Sequence, residues 1–585
     1  MHAKMIRTNR SRPPIDRMKL ASALLLSLFL SIPALAQDPP RQRAAIEGIV
    51  TKDPDSEPVK KALIELIAEN QSEAGNYTAV TGPDGTFRID NIAPGRYHLF
   101  AERTGLLDAD KQRGHTDGRI LGLTAGQELK DLHLRLQAAA VVRGRVTDED
   151  GDPLPNAEVT VLRQTFVAGH KHWEQAGAER TNDLGEYRIA NLAAGNIYVS
   201  VSPPPDFKSL IENAGTAARD TRNPNAPDTP APATYQTTYY PTTSDRSQAA
   251  PIQLHAGDEF PANFSLTPSP SLSIRGAVVN VPPRASATIM LQSRDFSLIL
   301  NGAEMHKDGS FVIHDVSPGS YTILATIAGA PVPMMARQSL QVGSSNIEGL
   351  RLAPQPGSTV QGRLRLENRN GVARFDPERV FLALLSVDAE QDETALGGRD
   401  TFSNLAHVAA DGSFQWADVP AGTYYVQVMG DSDANQGWFV KSVLAGGREI
   451  NDSGIGLNGG TATLDLVISA NGGVADGVVV DHKGEAVANA VVVAVPELRL
   501  RTRTDHYRKT VTDQSGRFIL RGIRPGDYTV FAWESVDGEA YYSPEFLERY
   551  QGQGSALRIS EGDRKSLQVE AVPAENEELV LSHNR

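Results

Sequence analysis

The densest cluster of metal-competent side chains in this 585-residue chain is His170-Lys-His-Trp-Glu174. On a strand His170, His172 and Glu174 would share one face, a donor set suited to zinc. No neighbour in sequence offers the carboxylate or carbonyl that usually orients a ligating imidazole, so a solvated strand is the preferred reading. Asp148, Asp150 and Asp152 resemble an acidic calcium loop. Their glycine falls at the fourth place and no glutamate closes a twelve-residue loop, which excludes an EF-hand and favours a plain Asp-Gly turn. The chain contains no H-E-x-x-H, no G-x-S-x-G and no phosphate-binding glycine loop. Catalytic residues, metals and cofactors are not expected.

Binding chemistry has better candidates. Tyr239 with Tyr240, Trp438 with Phe439, and Tyr541 with Tyr542 stand in connecting segments, as does Trp173. Aromatic faces can stack on sugar rings and bury their apolar C–H surface. The six paired residues recur in only some parts of the chain, whereas core aromatics should recur everywhere. They are the expected ligand contacts, with packing of each loop onto its own domain as the competing reading.

The elements that would position them follow from a spacing. Two glycines ten residues apart occur five times: Gly85 and Gly95, Gly185 and Gly195, Gly309 and Gly319, Gly412 and Gly422, Gly516 and Gly526. An aromatic follows each first glycine by two residues (Phe87, Tyr187, Phe311, Phe414, Phe518), and a tyrosine follows each second one (Tyr97, Tyr198, Tyr321, Tyr424, Tyr528). The second glycines are 100, 124, 103 and 104 residues apart, about one domain each. Asp84-Gly85 reads as a turn, and Phe87 with Ile89 as one face of a strand. Pro94-Gly95 suits a type II turn with positive φ at the glycine. Tyr97 then restarts the alternation, placed to bond backbone across the corner. Upstream of each motif lies an opening strand with a central glycine: Gly48, Gly144, Gly276, Gly362 and Gly477. Downstream, an alternating strand closes each unit, as at Leu132, Leu134 and Leu136. Short strands with such turns argue for an all-β chain of antiparallel sandwiches.

The pattern G-x-V-x-D-x-x-G-x-P, then D-x-x-G-x-[FY] and G-x-Y, resembles the carboxypeptidase regulatory-like domain. The second and fifth units carry nearly all of it, the first is close, and the third and fourth keep mainly its second half. The resemblance implies a prealbumin-like sandwich grouped with carbohydrate-binding folds, and a regulatory module without its peptidase. His482-Lys-Gly-Glu485 has the H-x-x-E spacing of zinc carboxypeptidases, but it occupies a hairpin tip with no helix and no third ligand. Related Cna-B sandwiches can carry a Lys–Asn staple; the opening strands here hold no lysine, and none is expected.

Lys4 to Lys19 supply a basic start, Leu20–Ile32 an apolar stretch, and Ala34-Leu35-Ala36 a small-x-small cleavage site. Cleavage between Ala36 and Gln37 removes six basic residues and one acidic residue, leaving 51 against 70 and a net charge of −19. So acidic a chain is a poor partner for nucleic acid or anionic membranes. It has no cysteine, hence neither disulfides nor a lipid-attachment site. The expected organisation is a signal peptide (1–36), a linker (37–45), and sandwiches at 46–138, 139–268, 270–354, 355–470 and 471–575, then a tail (576–585). The second includes a Pro-rich insertion at 202–236, and the fifth a shorter one near Tyr541 to Gly554. The expected function is non-catalytic binding of polysaccharide or another extracellular polymer, in the periplasm or outside the cell. The alternative is a spacer, adhesin or interaction component contacting cell-envelope proteins.

N-terminal sequencing of the exported protein should return Gln37 as the first residue; an intact start at Met1 or Met18 would overturn the export reading.

Overall fold

The computed structural model describes residues 43–574 except 70–73, 109–117, 204–233, 270–271, 294–298, 307, 317, 331, 368–376, 387–404 and 431–436. The signal segment, the Ala36–Gln37 junction and most of the Pro-rich insertion lie outside the described residues. Among those residues the regular structure is almost entirely strand, with a few 3-10 turns and one five-residue α-helix at Pro544–Glu548.

The first repeat shows the plan. Its strands are β1 (Ala44–Asp53), β2 (Glu57–Pro58), β3 (Leu63–Ala68), β4 (Tyr77–Val80), β5 (Thr86–Ile92), β6 (Gly95–Glu102), β7 (Leu106–Asp108), β8 (Arg119–Leu123) and β9 (Glu128–Ala138). One sheet is ordered β2-β1-β9-β7, with β5 also paired to β1; the other is ordered β4-β3-β6-β8. Alternate residues point inward, as the period-2 pattern predicts: Ile46 and Val50, Phe87 and Ile89, Leu132, Leu134 and Leu136 face Ile64, Leu66, Tyr97 and Leu99. Each such aliphatic side chain contributes about 1.5–3 kcal/mol by leaving water. Four further buried clusters are drawn from residues 140–266, 272–352, 360–468 and 475–571, each from one stretch of chain.

The sandwiches are not wholly antiparallel. In every repeat the opening strand pairs in parallel with the closing one: β1 with β9, and likewise Val141–Arg143 with Glu259–Pro261, Ala277 with Arg351, Gly362 with Leu464, and Gly477 with Leu567. Neighbouring strands that run the same way bring the chain in at one end of the sheet and out at the other. In the fifth repeat the closing strand also pairs with Ala532–Trp533, joining both layers into one seven-stranded sheet.

That pairing explains the opening-strand glycine. A Cβ on Gly48 would overlap the carbonyl of Leu132; on Gly144 that of Ala262; on Gly276, Gly362 and Gly477 those of Leu350, Leu464 and Leu567. Directly across the antiparallel side stand Phe87, Tyr187, Phe311, Phe414 and Phe518, whose rings come close over the bare glycine. The recurring aromatic is thus the cross-strand partner that fills the space a glycine leaves.

The first motif glycines behave as the turn reading requires. Their φ values are 76°, 72°, 85°, 81° and 69° in chain order. Asp84, Asp308 and Asp411 brace the turn by accepting from the residue two ahead, and Asn182 and Asp513, two positions earlier in the motif, accept from the residue four ahead. The second glycines are mixed: Gly195 has a φ of 117°, whereas others depart from the turn reading. Gly95 and Gly526 have no positive φ; the left-handed residue is Asn91, Asn191, Asp418 or Gly522, each on a β-bulge opposite the start of the opening strand. Asparagine, aspartate and glycine tolerate that conformation best. The tyrosine corner is present: Tyr97, Tyr424 and Tyr528 donate to the carbonyls of Ala93, Pro420 and Arg524 at 2.6, 3.0 and 2.8 Å.

Gly477→Ala should therefore destabilise the fifth repeat by ~2–3 kcal/mol through forced strand separation, whereas Gly526→Ala, whose Cβ would meet the Tyr528 ring at an ordinary 3.5 Å, should change it by under ~1 kcal/mol. Hydrogen exchange in the fifth repeat during denaturant titration of the mature chain separates the two; equal effects would contradict this account.

Candidate functional site

His170, Glu174 and their shared strand, His170–Arg180, form one side of a long hairpin with Glu158–Val167. Among the described residues no group of three or more His, Asp or Glu side chains is arranged to hold a metal. Trp173 lies edge to face with Tyr198 at 4.5 Å, and the Arg246 guanidinium is 5.4 Å from its ring centre.

The six expected ligand contacts are placed as packing residues. Tyr239 and Tyr541 are 2% exposed and Phe439 5%, so no ring face is open to a sugar. Tyr240 packs on the second core between Phe260 and Phe264. Trp438 packs on the fourth core, with its carbonyl where a side chain on Gly522 would fall. Tyr542 sits at 4.7 Å from both Tyr507 and Tyr541. The cause is common to all: the burial gained by packing a large ring on a neighbouring core outweighs leaving it in water.

Three of these residues lie where repeats meet, and the fifth repeat is the meeting point. The outer face of its strands Val491–Pro496 and Gly526–Trp533 is apolar: Val491, Val493, Val495, Phe531 and Trp533 are buried there. The segment between Trp533 and Ser555 covers it, with Trp533 touching Phe546 and Tyr550 at 5.7 and 5.8 Å. Ile120 of the first repeat and Phe166 of the second complete the same cluster. Polar contacts fix the register. The Gly122 N–H donates to Gln514 Oε1 at 2.9 Å, and Gln514 Nε2 donates back to the Gly122 carbonyl at 2.8 Å. The Ile120 N–H donates to Asn489 Oδ1, and Arg96 to the Val511 carbonyl. From the second repeat, the hairpin tip inserts its backbone: Glu539 N–H donates to the Phe166 carbonyl at 2.9 Å and Ala168 N–H to Glu539 Oε2 at 2.7 Å.

The joint with the fourth repeat is ionic. Arg503, 7% exposed, grips Asp505 through two bonds of 2.8 and 2.9 Å. It also donates to the Asn451 carbonyl of the fourth repeat and lies 4.2 Å over the Tyr425 ring. Although burial opposes its charge, Asp505 stays below the usual carboxylate range because Arg503 holds it. Lys441 bridges Glu367 and Glu561 at 2.7 and 3.1 Å.

Three segments, 45–136, 141–211 and 475–558, match the family model of the carboxypeptidase regulatory-like domain. Over these three segments the chain is similar to that domain. The matched segments are the first, second and fifth repeats, which are also the three that share the apolar cluster. No curated protein sequence matches the chain. Among solved structures, the Bacillus anthracis TIE protein is 12% identical over 54% of this chain (TM-score 0.16), and the chain spans about half of that protein, 51%. A streptococcal ancillary pilin is 11% identical, with 54% and 100% of the two chains covered (TM-score 0.20). The minor pilin of Streptococcus agalactiae is 12% identical, with 39% and 97% covered (TM-score 0.20).

Sequence reasoning missed the role of the fifth repeat. The available signal was the run Val491-Val-Val-Ala-Val495, whose unbroken apolar character marks a strand covered on both faces, where an open sandwich would alternate.

Because Trp438 supports the fourth core, Trp438→Ala should lower that repeat's stability by ~2–3 kcal/mol. A thermal midpoint left unchanged by the substitution, read by calorimetry on the mature chain, would return Trp438 to the list of ligand contacts.

Proposed function

We propose that the chain is a non-catalytic, exported component of the cell envelope whose sandwiches are locked into one arrangement to support protein partners. The observation that carries this reading is the direct bonding of first- and second-repeat backbone to the fifth repeat, across more than 350 residues of chain. A string of modules that gains avidity on a polymer needs spacing that adapts to its ligand. Buried aromatics and register-specific backbone bonds do the opposite, because they hold domains that would otherwise move relative to each other. The basic start and apolar stretch support export, and the acidic mature chain supports solubility outside the cytoplasm. Among the described residues no helix is long and apolar enough to cross a membrane. Polysaccharide binding, the reading that the resemblance favours, needs open ring faces, and Tyr239, Phe439 and Tyr541 are buried.

A Cβ on Gly169, whose φ is 82°, would overlap the Tyr542 backbone, so Gly169→Val should unseat the hairpin tip while leaving the five sandwich cores intact. Small-angle scattering should show a larger radius of gyration for the variant, with circular dichroism unchanged. Neither protein should be retained on immobilised polysaccharides; retention of the wild type would put the polymer-binding reading in its place.

A further inference from the structure

His506 is 3% exposed and ends the short turn Thr504–His506. Its Nε2 lies 2.9 Å from Nη1 of Arg524. A guanidinium only donates, so Nε2 must keep its lone pair and the imidazole must be neutral, with its proton on Nδ1. That Nδ1 has no hydrogen-bond partner among the described residues. Protonating Nε2 would set two donors and two positive charges against each other in a site closed to water. We propose that His506 makes the joint between the fourth and fifth repeats a pH-sensitive latch that loosens on acidification.

The surroundings give the proton little compensation. Arg503 and Asp505 share the turn with His506, Arg508 follows on the next strand, and Arg524 precedes the strand that begins at Gly526. Tyr528 lies on that strand and Asp452 comes from the fourth repeat. Asp505 is the near carboxylate, 3.9 Å from Nε2, and Arg503 already occupies both its oxygens. Burial first, then Arg524 and Arg503, depress His506 to about 4 against the pull of Asp505 and Asp452.

The turn is tied to the joint by Arg503, which reaches the Asn451 carbonyl and the Tyr425 ring of the fourth repeat. Asn451 in turn accepts from the Val443 N–H inside that repeat. A shift of the turn to separate His506 from Arg524 therefore pulls the contact that joins the repeats. The linkage has a definite sign. The closed joint holds His506 below its ordinary value near 6.5, so His506's contribution to closure is complete above that pH and is lost as pH falls toward 4.

The chain has no cysteine, so spin labels at Gln361→Cys and Lys483→Cys, both exposed sites, report the distance between the two repeats in the mature protein. One narrow distance is expected at pH 7.5, with a longer, broader component growing between pH 6.5 and 4.5. In His506→Gln, whose amide oxygen can accept from Arg524 without titrating, that component should appear at least one pH unit lower. A wild type that stays narrow to pH 4, or a variant that titrates identically, would overturn the latch. Nitrogen NMR of selectively labelled histidine in the wild type is independent of any variant: it should find the Nδ1–H tautomer at pH 7.5 and a midpoint below 5. A midpoint near 6.5, or a proton on Nε2, would overturn it as well.

Discussion

The fold rests on a place where no side chain fits. In each repeat the opening strand runs beside the closing strand so closely that a Cβ on Gly48, Gly144, Gly276, Gly362 or Gly477 would strike a backbone carbonyl. The aromatic across the other ladder closes over the gap, and its own ring becomes part of the core. Everything else in the repeat is arranged around this triple. The positive-φ glycine ten residues before the second motif glycine turns the chain so that the aromatic lands opposite the bare strand. The bulge at Asn91, Asn191, Asp418 or Gly522 then corrects the register before the chain crosses to the other sheet. Parallel closure sends the chain out at the far end, which is what allows the repeats to follow one another in tandem.

A frame so demanding consumes most of what recurs. The opening-strand glycines and the aromatics across from them are structural in each copy, as are the corner tyrosines of the first, fourth and fifth, and distinctive behaviour comes from what is not repeated. In the fifth repeat that is the segment after Trp533, which adds a second apolar layer and offers contacts to the first and second repeats. The same repeat meets the fourth through charges, at a turn where Arg503 holds Asp505 and a neutral histidine faces Arg524. Apolar contact on one side and a titratable contact on the other give the joints different sensitivities to the medium, even though the sandwiches share one plan.

Local features were legible in the sequence because their causes are local. Asp84-Gly85 demands a turn, Phe87 and Ile89 alternate, and Tyr97 sits where its hydroxyl reaches Ala93, all within a dozen residues. Long-range consequences were not. The parallel partner of Gly48 is Leu132, and nothing in either segment says which way the second strand runs. The left-handed position was assigned to Gly95 because Pro-Gly is a strong turn signal, although Asn91 offered the same conformational freedom four residues earlier. The aromatic pairs were chosen because they fell outside the repeated pattern. Tyr239, Phe439 and Tyr541 show that a residue outside the pattern can still be core, because a loop that returns to its own sandwich adds to the core. Contacts such as Gly122 with Gln514 join segments nearly 400 residues apart and leave no trace in either.

The central claim is that the fifth repeat holds the first and second in place. Amide hydrogen exchange on residues 37–585, compared with a chain ending at residue 470, tests it most directly. The account predicts that the Ile120, Gly122 and Ala168 amides, which donate to Asn489, Gln514 and Glu539, are protected in the longer chain and exchange far faster in the shorter one, while β1 and β9 exchange alike in both. Equal protection of those three amides in the two chains would contradict it.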